Sequence, residues 1–225
     1  MEQNWMLEKL KNFMAESSFP WAVCGGFALD LFLGRNIRPH GDIDLCLLEK
    51  DRESAKEYAL GKGWQVYEFR GWGKVRPLEQ GMPSDPGRNL MCVGEGCDLV
   101  KFYPCEDAGM LYHQFFHTGM KAFHYLEFLF NSTCGADLVL DQRKGLRREL
   151  SKAFLLRDGI PYLAPEIVLL YKASDSENPE YQLDFHETYP NLNEDQISWF
   201  LQSMHQLYPK GHPWANQCPS PDGSI

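Results

Sequence analysis

Residues 21–46 read WAVCGGFALDLFLGRNIRPHGDIDLC and carry two motifs at a fixed distance. WAVCGG is a short apolar run that ends in two glycines, which is typical of a strand followed by a tight turn. FALDLFLGR has the length of two or three helical turns, with Gly34 as its stop signal. DIDLCLL then alternates, so Asp42 and Asp44 are expected on one face of a second strand. The stretch therefore predicts strand, glycine turn, helix and strand, with glycines and carboxylates brought to one place.

Paired glycines and paired aspartates together suit metal-assisted chemistry on phosphates. The backbone at Gly25 and Gly26 can approach phosphate oxygens closely, and the N-terminus of the following helix favours their negative charge. Asp42 and Asp44 supply the oxygen ligands that Mg²⁺ prefers. A two-metal arrangement also needs a third carboxylate from a neighbouring strand, which can accept the proton of an attacking hydroxyl.

Two residues are candidates for that third carboxylate. Glu127 lies within the apolar strand YLEFLF (125–130), where a buried carboxylate is costly unless a metal or a proton partner compensates. Asp98 begins the strand-like run DLVKFY, where a solvated aspartate at a strand edge needs no explanation. We favour Glu127, and Asp98 remains the alternative.

Patterning along the rest of the chain predicts an α+β fold. Helices are expected at 4–16, 51–62, 164–174 and 193–207, and strands at 64–69, 89–93, 98–103, 125–130 and 136–141. Residues 70–88 and 104–122 are rich in Gly, Pro and aromatics, which indicates loops or lids that would contact an acceptor. We expect a mixed β-sheet domain with flanking helices over 1–150, a mostly helical domain over 151–215 and a disordered tail over 216–225.

Composition excludes several other classes of protein. The 225 residues carry a net charge of −9, which argues against broad binding to nucleic acid. The seven cysteines show no zinc-finger spacing, so reduced thiols in a cytoplasmic protein are expected. The chain starts without a basic and apolar leader, and no apolar run reaches about 18 residues. We therefore expect neither secretion nor a membrane partner. The sequence does not indicate an oligomeric state.

The stretch VCGGFALDLFLGRNIRPHGDIDL resembles the G-[GS]…D-x-D signature of the polymerase-β-like nucleotidyltransferases. More narrowly, ALDLFLGR (28–35) followed by RPHGDID (38–44) is similar to the aminoglycoside adenylyltransferase and lincosamide nucleotidyltransferase group. A second stretch, IPYLAPEIVLLYKA (160–173), resembles the start of that group's C-terminal helical region.

The resemblance implies the nucleotidyltransferase fold and an enzyme that transfers a nucleoside monophosphate from a triphosphate, with ATP the expected donor. The acceptor would be a hydroxyl of a small molecule, such as an aminoglycoside- or lincosamide-like antibiotic, so the activity would confer antibiotic resistance. Asp42, Asp44 and the third carboxylate would bind two Mg²⁺ ions, and Gly25 and Gly26 would hold the nucleotide phosphates.

Three further residues are implied as nucleotide contacts. Arg38 and His40 flank the D-x-D motif, and a guanidinium there could steady a phosphate. Arg38 could equally pair with an aspartate. Lys172 could reach a phosphate from the helical domain, although a lysine that ends an apolar helix is more often solvated.

Two other functions stay open. One is transfer to a protein or RNA end, against which the acidic charge and the missing basic stripe weigh for RNA. The other is a non-catalytic, regulatory nucleotide-binding module, against which the intact D-x-D motif argues. A small acceptor would bind between the two domains, where the acidity of Glu166, Asp184 and Glu187 would suit a cation. Ordinary surface charge is the simpler interpretation of these three residues.

Overall fold

The computed structural model describes residues 4–97, 99–107, 110–117 and 123–217. The helices and strands over these residues are, in chain order, α1 (Asn4–Met14), β1 (Trp21–Cys24), α2 (Gly25–Leu33), β2 (Ile43–Leu48), α3 (Arg52–Gly61), β3 (Gln65–Gly71), β4 (Lys74–Leu78), β5 (Leu90–Val93), β6 (Val100–Asp107), β7 (Met110–His117), β8 (Tyr125–Cys134), β9 (Asp137–Leu140), β10 (Leu146–Glu149), α4 (Leu150–Ala153), β11 (Phe154–Arg157), β12 (Ile160–Leu163), α5 (Pro165–Lys172), α6 (Pro179–Thr188), α7 (Glu194–Leu207) and α8 (Pro213–Gln217). Helices and a mixed sheet occur together, which confirms the predicted α+β class.

The chain forms two compact units that are not continuous in sequence. Unit 1 consists of Met1–Val23 and Pro39–Thr133, and unit 2 consists of Cys24–Arg38 and Cys134–Ile225. Helix α2 joins unit 2 because it packs against α5 and α6. The domains that we expect from the sequence at 1–150, 151–215 and 216–225 stay a prediction.

Unit 1 is built on a mixed sheet whose strands follow the order β1-β2-β8-β5-β3-β4-β7-β6. Strands β2 and β8 run parallel. The pairs from β8 to β5 and onward through β3, β4, β7 and β6 are antiparallel. A core cluster that includes Tyr67, Met91 and Tyr125 packs together in this unit.

The expectation of loops at 70–88 and 104–122 is wrong for part of each segment, because β4 lies in the first and β7 in the second. Pairing of β4 with β3, and of β7 with β6 and β4, satisfies the backbone of residues whose composition resembles that of a loop.

The segment 79–89 between β4 and β5 is attached to α3 by charged side chains. Glu53 Oε1 accepts hydrogen bonds from the backbone N of Ser84 at 3.0 Å and from its Oγ at 2.6 Å. Glu57 Oε1 accepts from the backbone N of Gly81 at 2.9 Å. These contacts replace strand pairing for the segment, so it is a fixed connection between β4 and β5.

Unit 2 combines two antiparallel strand pairs, β9 with β10 and β11 with β12, with the helices from α4 to α8 and α2. Patterning had predicted none of β10, β11 and β12. Gly34 ends α2 in the left-handed region, with φ +71°, as the stop signal predicted. A Cβ there would lie 2.7 Å from Nη2 of Arg157, the far end of a flexible side chain that can move, so the positive φ is what favours glycine. Residues 216–217 of the predicted tail belong to α8, and 218–225 lie outside the described residues.

In the described part of the chain, no helix is both long enough and apolar enough to cross a bilayer.

Candidate functional site

The two aspartates of the D-x-D motif lie at the start of β2. Asp42 precedes the strand and Asp44 lies on it, and both side chains are partly exposed. Ile43 and Leu45 are fully buried in the core. Successive strand residues point to opposite faces, so Asp42 and Asp44 share a face that the core does not cover completely.

Glu127 lies directly beside Asp44. The parallel pairing of β2 with β8 places Asp44 opposite Glu127. Directly paired residues on neighbouring strands point to the same face of a sheet, so the two carboxylates are neighbours. Leu126 and Phe128, on either side of Glu127, are fully buried. Asp98, the other candidate for the third carboxylate, lies outside the described residues.

The carboxylates perturb one another electrostatically. Burial raises the pKa of Glu127 to about 7, and the charge of Asp42 raises it as well, while a hydrogen bond from Tyr125 opposes both effects. Burial also raises the pKa of the Tyr125 hydroxyl, with further contributions from Glu127, Asp42 and Asp44. One hydroxyl and three carboxylates therefore lie within electrostatic reach of one another in unit 1.

Sequence reasoning missed Tyr125. Its Oη donates a hydrogen bond to Glu127 Oε1 at 2.5 Å, and its side chain is fully buried. Tyr125 could have been found from its position two residues before Glu127 on a predicted strand, because residues at this spacing have their side chains on one face.

The oxygen donors of Asp42, Asp44 and Glu127 are of the type that binds a divalent cation. Across 4–97, 99–107, 110–117 and 123–217, no group of three or more His, Cys, Asp and Glu side chains forms a ready metal-binding cluster. Asp44 and Glu127 do present adjacent carboxylates, and the charge of Asp42 acts on Glu127. Hard cations such as Mg²⁺ take oxygen ligands and complete their coordination with water and substrate phosphates, so the donor type fits.

The glycine pair belongs to unit 2, where it begins helix α2. Gly25 has φ +64°, a conformation that side chains rarely adopt, and it is the first residue of the helix. The preceding Cys24 has an extended backbone and forms no side-chain cap. The first N–H groups of a helix lack intrahelical partners, so this terminus can attract an anion.

Arg38 and Lys172, two of the residues implied as nucleotide contacts, meet at one buried carboxylate in unit 2. Nε and Nη2 of Arg38 each donate to Asp184 at 3.0 Å, and Nζ of Lys172 lies 2.8 Å from Asp184 Oδ2. Lys172 also lies over the ring of Tyr181, 4.1 Å from its centroid. The pairing of Arg38 with an aspartate, the alternative left open by the sequence, is present. Lys172 is buried instead of solvated.

The acidic residues considered for a cationic acceptor are not an exposed patch. Asp184 and Glu166 are both fully buried. Glu166 accepts a hydrogen bond from Arg148 at 2.7 Å. Surface charge is therefore wrong for these two residues, because each balances a buried cation. His40 is also buried, in unit 1.

The first part of the chain matches a known protein family. Residues 6–76 match the family model of aminoglycoside-2''-adenylyltransferase. The match includes the glycine pair and the D-x-D motif and ends before Glu127. It confirms, for these residues, the resemblance indicated by the sequence. No curated protein matches the chain significantly.

Several solved structures are similar to this chain, at low sequence identity. The crystal structure of ANT(2'')-Ia in complex with adenylyl-2''-tobramycin is 15% identical, with a TM-score of 0.47, over 92% of this chain and 99% of that chain. The lincomycin-bound lincosamide antibiotic adenylyltransferase LnuA is 11% identical, with a TM-score of 0.49, over 82% and 95%. A nucleotidyltransferase-like protein from Paracoccidioides brasiliensis is 15% identical, with a TM-score of 0.43, over 93% and 88%.

Proposed function

We propose that the protein is a nucleotidyltransferase that moves a nucleoside monophosphate from a triphosphate, with ATP as donor, to a hydroxyl of a small molecule of the aminoglycoside or lincosamide type. The observation that carries the proposal is the placement of Asp44 beside Glu127 on adjacent parallel strands, with the charge of Asp42 acting on the same carboxyl. The family match over residues 6–76 supports it, since it spans both sequence motifs.

In this reaction Glu127 takes the proton of the acceptor hydroxyl, as a general base must lie within hydrogen-bond reach of the group it deprotonates. The hydroxyl oxygen forms a bond to the α-phosphorus, the bond from that phosphorus to the bridging oxygen breaks, and pyrophosphate leaves with the electron pair. Mg²⁺ bound by Asp42, Asp44 and Glu127 would neutralise charge on the phosphate oxygens.

Further nucleotide contacts are proposed in addition to the three carboxylates. The backbone amides of Gly25 and Gly26 are proposed to bind phosphate at the start of α2, where the dipole of this helix favours an anion. Arg38 and Lys172 are proposed as phosphate contacts, fixed in place by Asp184. The buried His40 is proposed to support the loop that carries Asp42.

A pyrophosphate-release assay tests the proposal. Purified protein is incubated with ATP, Mg²⁺ and either tobramycin or lincomycin, and the product is identified by its mass. We expect an adenylylated antibiotic from the wild type and a rate about 1,000-fold lower for Glu127→Gln and Asp44→Asn, as when a main charge-stabilising group is removed. Glu79→Gln, which removes an exposed carboxylate from unit 1, is the matched control and should keep full activity.

Other outcomes decide between the alternatives. If pyrophosphate is released only when a protein or an RNA is present, the acceptor is that macromolecule and not a small molecule. ATP binding without pyrophosphate release from any acceptor would indicate a non-catalytic module and overturn the proposal.

A further inference from the structure

Tyr125 holds the carboxylate that the proposed reaction uses as its base. Tyr125 and Glu127 lie two residues apart on β8, so their side chains project from the same face of the sheet. The distance of 2.5 Å from Tyr125 Oη to Glu127 Oε1 falls in the range of hydrogen bonds from a hydroxyl to an ionised carboxylate.

The phenol ring is fixed by its surroundings. Tyr125 is fully buried and belongs to one core cluster with Met91, Val93 and Tyr67. Interiors are close-packed and hold aromatic rings in single rotamers, so the hydroxyl occupies one position. The Glu127 side chain is only partly buried and has three rotatable bonds, so the hydroxyl limits where its carboxylate can lie.

Repulsion from the neighbouring aspartates acts against that position. Asp44 is paired with Glu127 across the strands, and the charge of Asp42 acts on the Glu127 carboxyl. Like charges this close favour rotamers that point the carboxylates apart. The hydrogen bond from Tyr125 opposes the separation and is made by a group that carries no charge of its own.

We propose that Tyr125 is a positioning residue of the transfer site, which keeps the Glu127 carboxylate beside Asp44 so that it can accept the proton of the acceptor hydroxyl. The inference rests on the proposed nucleotidyl transfer. Tyr125 itself needs to touch neither nucleotide nor acceptor.

Tyr125→Phe removes the hydroxyl alone and is the test variant. Tyr67→Phe is its matched control, because Tyr67 is a buried member of the same core cluster whose hydroxyl donates to the amide oxygen Oε1 of Gln65 at 2.9 Å and not to a carboxylate. Glu127→Gln is the reference for complete loss of the base. Melting temperatures of all three establish that each variant is folded.

Steady-state kinetics with ATP and an accepted antibiotic separate positioning from a merely structural role. We expect Tyr125→Phe to lower kcat about tenfold while KM for ATP changes less than twofold, and Tyr67→Phe to leave both unchanged. A wild-type kcat in Tyr125→Phe, with Glu127→Gln inactive, would overturn the inference and leave the proposed function intact. Full activity of Glu127→Gln would overturn both.

A second readout needs no acceptor. In protein labelled with ¹³C at the glutamate δ-carbon, the Glu127 resonance is the one missing from Glu127→Gln. We expect this resonance to shift in Tyr125→Phe and to stay in place in Tyr67→Phe. An unchanged resonance in Tyr125→Phe would show that the hydroxyl does not hold the carboxylate, whether or not the protein transfers nucleotides.

Discussion

Each unit contains a carboxylate that is withdrawn from solvent, and the charges around the two carboxylates have opposite signs. Asp184 in unit 2 is surrounded by cations, whereas Glu127 in unit 1 has other carboxylates as neighbours. In unit 2, burial tends to raise the pKa of Asp184, but hydrogen bonds and charges from Arg38 and Lys172 outweigh it and hold the pKa below its usual range. In unit 1, burial and the charge of Asp42 raise the pKa of Glu127 to about 7. A buried carboxylate between cations ties elements together, whereas neighbouring carboxylates cost stability and suit a ligand that brings positive charge.

The largest stability effect is expected from breaking the compensated cluster. Asp184→Asn takes the carboxylate partner from the buried Lys172 and one of the carboxylate partners from Arg38, so the free energy of unfolding should fall by about 3–5 kcal/mol in urea titrations. Glu187→Gln on the same helix is the control. Glu187 pairs with Arg35 at the surface, where such pairs contribute about 0–1 kcal/mol. If the two variants lose the same stability, Asp184 has no special part in holding unit 2 together.

A smaller effect of opposite sign is expected in unit 1. Asp42→Asn removes a charge that repels Glu127, so without divalent metal the free energy of unfolding should rise by up to about 1 kcal/mol. Urea titrations in EDTA measure the change, and the exposed Glu79→Gln in the same unit is the control. Destabilisation by Asp42→Asn would contradict repulsion among these carboxylates.

Local patterns were enough to predict the segment that carries the motifs. The strand β1, the helix α2 and the strand β2 follow from apolar runs, a stop glycine and alternation within 21–46. Strands β4 and β7 were missed because Gly, Pro and aromatic residues in 70–88 and 104–122 resemble loop composition, and their pairing partners lie elsewhere in the chain. Strands β10 and β12 were missed because LRRE is mostly charged and IPYL contains a proline, and both features are unusual within a strand.

The sequence likewise predicted one part of the candidate site and missed another. A carboxylate in an apolar strand identified Glu127, and parallel pairing then placed it beside Asp44. The role of Tyr125 could not be found by composition, because a tyrosine in an apolar strand is an ordinary core residue. Asp184 was interpreted as surface charge because its partner Arg38 lies 146 residues earlier, and sequence alone does not bring the two together.

Calorimetric titration with α,β-methylene-ATP, which cannot release pyrophosphate, tests most directly whether the carboxylates of unit 1 form the metal–nucleotide site. With Mg²⁺ present, the affinity of Asp44→Asn should be about 100-fold lower than that of the wild type, a difference of about 2.7 kcal/mol. In EDTA the two proteins should bind equally weakly, and Glu79→Gln should follow the wild type in both conditions. Equal affinity of the wild type and Asp44→Asn in the presence of Mg²⁺ would contradict a metal–nucleotide site at Asp42, Asp44 and Glu127.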